Sequence, residues 1–367
     1  MTDEKYMELA LRLAEKAAGW TSPNPMVGAV IVKDGEIIGT GYHRQAGTPH
    51  AEIHALREAG ERARGATLYV NLEPCAHYGR TPPCVDEVIH AGIARCVVAM
   101  EDPNPRVAGR GIRRMREAGI EVVVGVKEKE ARRLNEVFIK YITTGLPFVV
   151  LKSAVSLDGK IATRTGHSQW ITGPEARRWA HRLRHLYDAV LVGIGTVLAD
   201  NPRLTVRLEG EKAKDPVRVI LDSRARIPLD ANVLTVKSQA PTIIATSEKA
   251  PADKIGALRA AGAEVIFLEE EGGKIDLAAL LRALGEREIT SVLIEGGATV
   301  NADVLEKGLV DKVCWFIAPK FIGGKEAPSA IGGEGIQHMS QAWELEEVNW
   351  RLLGRDLYLE GYFRSPR

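Results

Sequence analysis

Cysteine is scarce in this 367-residue chain, with four in all, at 75, 84, 96 and 314. So few cannot frame a disulfide scaffold, and any that cluster are left for metal binding or packing. Long apolar runs are missing too. No segment offers the ~20 apolar residues that a membrane-spanning helix needs, and the opening MTDEKYMELALRLAEKAAG has no apolar core of the signal-peptide kind. An excess of one charge is also absent. The net charge is +1, with 20 Lys+Arg against 19 Asp+Glu in residues 1–145 and 29 against 29 in the remainder. Neither part has the basic surplus by which proteins grip a nucleic-acid backbone. The five arginines from Arg106 to Arg116 are interrupted by glycines and read as a solvated loop and helix face. These absences predict a cytoplasmic protein with no membrane and no nucleic-acid partner. What is present, 45% hydrophobic and 26% charged residues, is ordinary globular composition at a length that suits two domains.

Hydrophobic periodicity predicts an amphipathic helix over 3–19, then strands 27–33 and 36–42 joined by Asp34-Gly35, a strong hairpin signal. From residue 50 helices alternate with strands 67–71, 95–100 and 120–125, and a last helix covers 127–143. Alternation of this kind predicts a partly parallel sheet with helices on both faces. TTGLP (143–147) reads as a junction between a domain at 1–145 and one at 146–367. The second series has strands at 148–154, 188–193, 217–222, 242–246, 264–268 and 291–297. Helices are expected at 174–187, 252–261, 276–286 and 298–307, followed by a β-rich end. Nothing repeats between the two parts, so two different α/β domains are expected.

The chemistry is most concentrated in His50-Ala51-Glu52, Pro74-Cys75 and Cys84. Catalytic zinc takes three protein ligands and keeps a fourth position for water. One imidazole and two thiolates fill the three. Zinc lowers the pKa of that water toward neutrality and makes it a nucleophile for an aminopyrimidine carbon. Glu52, two residues from the histidine, would take the water's proton and return it to departing ammonia. The order matches the H-x-E…P-C-x-x-C signature of zinc base deaminases, except that eight residues, AHYGRTPP, separate the cysteines. His77 within that loop is a rival ligand. A structural zinc site would have no need of the carboxylate. Cys96 and Cys314 lie in apolar strands and read as core.

With these motifs in view, the chain resembles the bifunctional deaminase–reductases of riboflavin biosynthesis. The resemblance rests on TSPNPMVGAVIV, HAE, NLEPCAHYGRTPPC and DPNPRVAGRG in the first part. In the second it rests on LKSAVSLDGKIA, SQWITG, VGIGTVLADNPRLTVR and IEGGATVNAD. The long cysteine spacing is that family's own form. The resemblance implies a cytidine-deaminase-like α/β/α domain followed by a dihydrofolate-reductase-like α/β domain. It also implies Zn2+ and NADPH as cofactors, phosphoribosyl-pyrimidine substrates, and a homo-oligomer formed through the reductase domain. By the same matching, Ala154, Trp170, Thr196, Asp200, Ser223, Gly297, Ala298, Thr299, Val300, Asn301, Ala302 and Asp303 would line the NADPH site. Asn24, Ser168, Arg184, Leu204, Arg207 and Glu295 would hold substrate, the arginines meeting a phosphate with two-pronged hydrogen bonds. Lys152 and Asp158 are candidates for the reductase proton donor. A GxGxxG fingerprint is missing, since Leu198 stands where the third glycine would be.

Overall fold

A computed structural model describes residues 1–76, 83–105 and 107–363, so His77 and Arg106 lie outside the described residues. The chain divides into two compact units, Met1–Gly145 and Leu146–Arg367.

In the first unit the order is α1 (Asp3–Glu15), β1 (Gly28–Lys33), β2 (Glu36–Tyr42), α2 (Ala51–Ala59), β3 (Thr67–Val70), α3 (Cys84–His90), β4 (Arg95–Val98), α4 (Arg110–Glu117), β5 (Glu121–Val124), α5 (Glu128–Leu134) and α6 (Glu136–Thr144). The sheet runs β2-β1-β3-β4-β5, antiparallel at β2-β1-β3 and parallel from β3 to β5. Val30, Ile31, Leu68, Val70 and Val97 are fully buried in its centre. Helix α2 lies directly on the hairpin, which only glycine permits. A Cβ on Gly39 would meet the Ala55 carbonyl oxygen at 2.3 Å, and one on Gly41 would meet that of Ala51 at 2.2 Å. The small residues Ala51, Ala55 and Ala59 form the buried face that makes this approach, so the amino end of α2 is held close to the sheet.

One helix predicted over 127–143 is two in the structure, broken at Asn135. Its backbone leaves the helical region (φ −105°, ψ 22°), while its side chain accepts from the Met26 N–H at 2.8 Å and donates to the Met26 carbonyl at 3.0 Å. A buried amide serving a distant backbone outweighs the local helical preference.

The second unit contains β6 (Phe148–Ser156), α7 (Pro174–Leu186), β7 (Ala189–Gly193), α8 (Ile194–Asp200), β8 (Val217–Leu221), α9 (Asn232–Thr235), β9 (Thr242–Thr246), α10 (Ala252–Ala260), β10 (Glu264–Phe267), β11 (Glu270–Glu271), β12 (Lys274–Ile275), α11 (Leu277–Gly285), β13 (Ser291–Ile294), α12 (Ala298–Glu306), β14 (Lys312–Ala318), β15 (Leu345–Leu353) and β16 (Asp356–Phe363). Its main sheet is ordered β10-β9-β8-β7-β13-β6-β14-β16-β15, parallel through β14 and antiparallel at β14-β16-β15. The parallel strands β7, β9 and β13 are buried along their whole length, as strands covered on both faces must be. Adjacent strands β7 and β13 each hand over to a helix through glycine. The turn after β7 lies against the first turn of α12, since a Cβ on Gly193 would meet Val300 Cγ2 at 2.9 Å. Strand ends of this kind in an open parallel sheet are where ligands bind. No helix among the described residues is long and apolar enough to cross a membrane.

Candidate active sites

In the first unit His50 is the N-cap of α2 and Cys84 is the first residue of α3. Unpaired backbone N–H groups at such ends favour thiolate. Cys75 arrives from the segment that leaves the carboxyl end of β3. Nδ1 of His50 lies 3.1 Å from Sγ of Cys84 and 3.6 Å from Sγ of Cys75, and the Cys84 backbone N–H donates to Cys75 Sγ at 3.3 Å. The three ligand atoms lie within 4.8 Å of one another. Tetrahedral zinc with bonds of about 2.0–2.3 Å asks for ligand separations of roughly 3.5–4 Å. The protonation state fits the metal as well. A hydrogen bond from the Cys84 thiol, opposed by burial and helped by His50, pulls the Cys75 thiol down to about 4. The same hydrogen bond, with burial, pushes Cys84 up. One shared proton is therefore what a dication would displace to make both sulfurs thiolate.

Glu52, on the first turn of α2, is 3% exposed. Burial, together with the nearby Cys75 sulfur, pushes its carboxyl up to about 7. Asn24 reaches the same region, its Nδ2 lying 3.1 Å from Nε2 of His43. His43 is buried, its ring packs edge-on against that of His50 at 5.2 Å, and burial lowers its pKa. Sequence reading missed His43, which has no motif around it. It missed Glu73 as well. This buried carboxylate accepts four backbone N–H groups, from Asp102, Gly109, Gly111 and Ile112, at 2.8 to 3.1 Å. It thereby ties the Pro74-Cys75 segment to the amino end of α4.

In the second unit, cavities of about 1010 Å³ and 500 Å³ open at the strand ends and share Ser168, Thr196, Asp200 and Gly297 as walls. The larger brings together Lys152, Ala154, Trp170, Arg184, Leu204, Arg207 and Glu295. The smaller adds Ser223, Ala298, Thr299, Val300 and Asp303. Asn301 and Ala302 line neither cavity: they are buried in α12, where Asn301 Nδ2 donates to the Ala330 carbonyl at 2.8 Å. Asp158 is also elsewhere, accepting from the Ser156 hydroxyl and the Ile322 and Gly323 N–H groups.

At the polar end of the larger cavity Arg184 donates to both Glu295 oxygens, at 2.6 and 2.9 Å, and to the Thr205 carbonyl at 3.0 Å. Lys152 Nζ stands 3.5 Å from Glu295. Burial would raise Glu295, but Arg184 and Lys152 outweigh it and hold the carboxyl well below the usual carboxylate range. The Arg207 guanidinium has no acidic partner within ion-pair distance among the described residues, and burial beside Arg184 and Arg203 lowers its pKa. Burial, with Arg184 and Arg207 beside it, presses His181 down to about 4, so it stands neutral there. A cation crowded by other cations and without an acid in contact, as Arg207 is, makes a site for an anion.

Comparison with known proteins decides the family. Residues 147–359 match the RibD C-terminal domain, and residues 1–100 match the cytidine and deoxycytidylate deaminase zinc-binding region. The chain is 47% identical to the riboflavin biosynthesis protein RibD of Actinobacillus pleuropneumoniae over 366 residues, which is 100% of this chain and 96% of the relative. The chain belongs to the RibD family. Among solved structures, Acinetobacter baumannii RibD is similar at a TM-score of 0.89 and 40% identity, with 99% of each chain covered. A Thermotoga maritima diaminohydroxyphosphoribosylaminopyrimidine deaminase/5-amino-6-(5-phosphoribosylamino)uracil reductase gives 0.85, 40% and 99% of each chain. As a family member, this chain is a bifunctional enzyme of riboflavin biosynthesis. It joins a cytidine-deaminase-like zinc-binding domain to an NADPH-dependent reductase domain of α/β fold.

Proposed function

We propose that residues 1–145 hydrolyse the 2-amino group of 2,5-diamino-6-(5-phosphoribosylamino)pyrimidin-4-one, and that residues 146–367 reduce the ribosyl arm of the product to ribityl. The observation that carries this reading is the pairing of a metal triangle beside the buried Glu52 with a second cavity whose Arg207 lacks an acid. The Thermotoga relative bears the name of both reactions. When bound at His50, Cys75 and Cys84, zinc supplies the Lewis acidity that makes water nucleophilic. Glu52 takes a proton from that water and delivers it to the nitrogen that leaves as ammonia. Asn24 and His43 stand where the pyrimidine ring would be oriented.

In the second site NADPH, when bound, supplies hydride to the sugar carbon. Arg207 meets the substrate's phosphate dianion, while Arg184, whose donors are engaged by Glu295 and Thr205, orients Glu295 toward the sugar. Lys152 rather than Asp158 is the group poised to give the balancing proton, because it lines the cavity and Asp158 does not. Ser168 and Leu204 complete the substrate wall. Ala154, Trp170, Thr196 and Asp200 would hold NADPH, and the N–H groups at the amino end of α12 would suit its pyrophosphate. On this reading Asn301 and Ala302 serve the cofactor through the packing of α12 and not by side-chain contact.

Self-association through the reductase domain is supported by the edge strand β15, which among the described residues pairs on one side only and exposes Trp350 by 70% and Leu352 by 65%. A cytoplasmic setting is supported by the free thiols of all four cysteines.

Purified protein given the diaminopyrimidinone phosphate, with ammonia and NADPH followed separately, tests the assignment. Glu52→Gln is expected to slow ammonia release by about 10³-fold while NADPH oxidation persists on deaminated substrate. Loss of both activities in folded protein would refute separate sites.

A further inference from the structure

We infer that Arg226 and Lys274 bind the 2′-phosphate of the reductant and so set the choice of NADPH over NADH. The inference rests on the reductase reading of the second unit and asks which end of the cofactor each cavity receives. The larger cavity holds the charged residues suited to substrate, so the hydride-bearing end belongs there. From Gly297, which both cavities share, a dinucleotide passes the amino end of α12 and enters the smaller cavity. Its adenosine then falls between the carboxyl end of β8, at Leu221 and Ser223, and the hairpin formed by β11 and β12.

Two cations stand at that end. Arg226 lies on the turn that follows β8, and Lys274 opens β12 beside the Gly272-Gly273 turn. Neither is tightly held. Arg226 Nε is 3.9 Å from Asp222 Oδ1 and Lys274 Nζ is 3.5 Å from Asp303 Oδ1, with side chains 60% and 48% exposed. Both can therefore turn onto a ligand and keep their partners nearby.

The carboxylates point the same way. Sites that prefer NADH place an acid at a strand end, where it accepts from the ribose hydroxyls, whereas an arginine there receives a 2′-phosphate. The acid at the end of β8 is Asp222, which is fully buried, lines neither of the two cavities and accepts the Ile227 N–H at 2.8 Å. Asp303 does line this cavity, but Lys274 at 3.5 Å and Lys307 at 4.0 Å flank it. A ribose diol would thus find no exposed carboxylate at the end of β8, while a phosphate would find a forked guanidinium and an ammonium.

Titration calorimetry on the full-length protein tests the assignment with two probes that differ only in the phosphate concerned, adenosine 2′,5′-bisphosphate and adenosine 5′-monophosphate. The wild-type protein is expected to bind the bisphosphate more tightly. Arg226→Gln and Lys274→Gln should each cut that preference by roughly tenfold, as loss of one charge-assisted hydrogen bond implies. The preference for NADPH over NADH in kcat/KM should fall in parallel. Arg226→Lys, which keeps charge and loses the fork, is expected to fall between. Equal weakening of both probes in the variants would overturn the inference, as would a wild-type protein that binds them equally while still oxidising NADPH. A wild-type protein that binds neither probe and oxidises no NADPH would overturn the reductase reading itself.

Discussion

The metal triangle of the first unit gathers two cysteines and a histidine, whereas the large cavity of the second pairs Arg184 and Lys152 with Glu295 and leaves Arg207 without an acid in ion-pair reach among the described residues. His50, Cys75 and Cys84 lie within 4.8 Å of one another, and the two sulfurs share a hydrogen bond whose proton a dication would replace. Arg207, Arg184 and His181 crowd around a space that invites a phosphate. Each site carries the electrostatic imprint of the partner that suits it. The two differ in how they are held. The triangle is fixed by backbone, through helix ends and the Glu73 clamp, and its tolerance is small because metal bonds are short. The cavity is fixed by side chains from several strand ends, so single changes there should weaken binding without dismantling the site.

That contrast can be broken by substitution. The largest effect is expected for Glu73→Gln. Its amide nitrogen would face two backbone N–H groups and leave buried donors unmatched, costing the first unit about 3 kcal/mol. Its zinc should pass faster to a chromophoric chelator, while NADPH oxidation on deaminated substrate continues. Unaltered zinc release would remove Glu73 from the metal's support.

A smaller effect is expected for Arg207→Ala, which should raise the reductase KM for the phosphorylated substrate about tenfold and leave kcat nearly as it was. A fall in kcat at constant KM would instead place Arg207 beside the reacting carbon.

The smallest concerns acid. His181 has a folded pKa of about 4, below its usual 6.5, so the unfolded chain binds more protons between those values. Stability contributed by neutral His181 is therefore complete above about pH 6.5 and is lost as pH falls toward 4. His181→Asn should flatten the dependence of Tm on pH within that window, and an identical slope in variant and wild type would show that His181 is not what titrates.

Legibility differed between the units for a physical reason. His50 and Glu52 are two residues apart on one helix end, and Cys84 opens another, so local order carried the metal reading. Glu73 stands two residues before Cys75 yet drew no notice, because its partners are backbone N–H groups 29 to 39 residues away and those have no sequence signature. Asn135 looked like one more helical residue until the Met26 backbone claimed its side chain. In the second unit, resemblance supplied residue names that periodicity could not. The cavities then separated those facing the space, such as Thr196 and Asp303, from Asn301 and Ala302, which face the core.

The amino-acid order alone pointed to the alternation of strands and helices, to two units meeting near residue 145, and to His50, Cys75, Cys84 and Glu52 as one candidate metal site. These depend on neighbours within a few turns of chain. Tertiary structure decided that Arg184 is spent on Glu295 while Arg207 has no acid in ion-pair reach among the described residues, that Asp158 serves a loop and Lys152 a cavity, and that Asp222 turns inward while Arg226 lines the smaller cavity. Such choices depend on which groups remain unpaired once the chain is packed, and desolvation and charge settle that only in three dimensions.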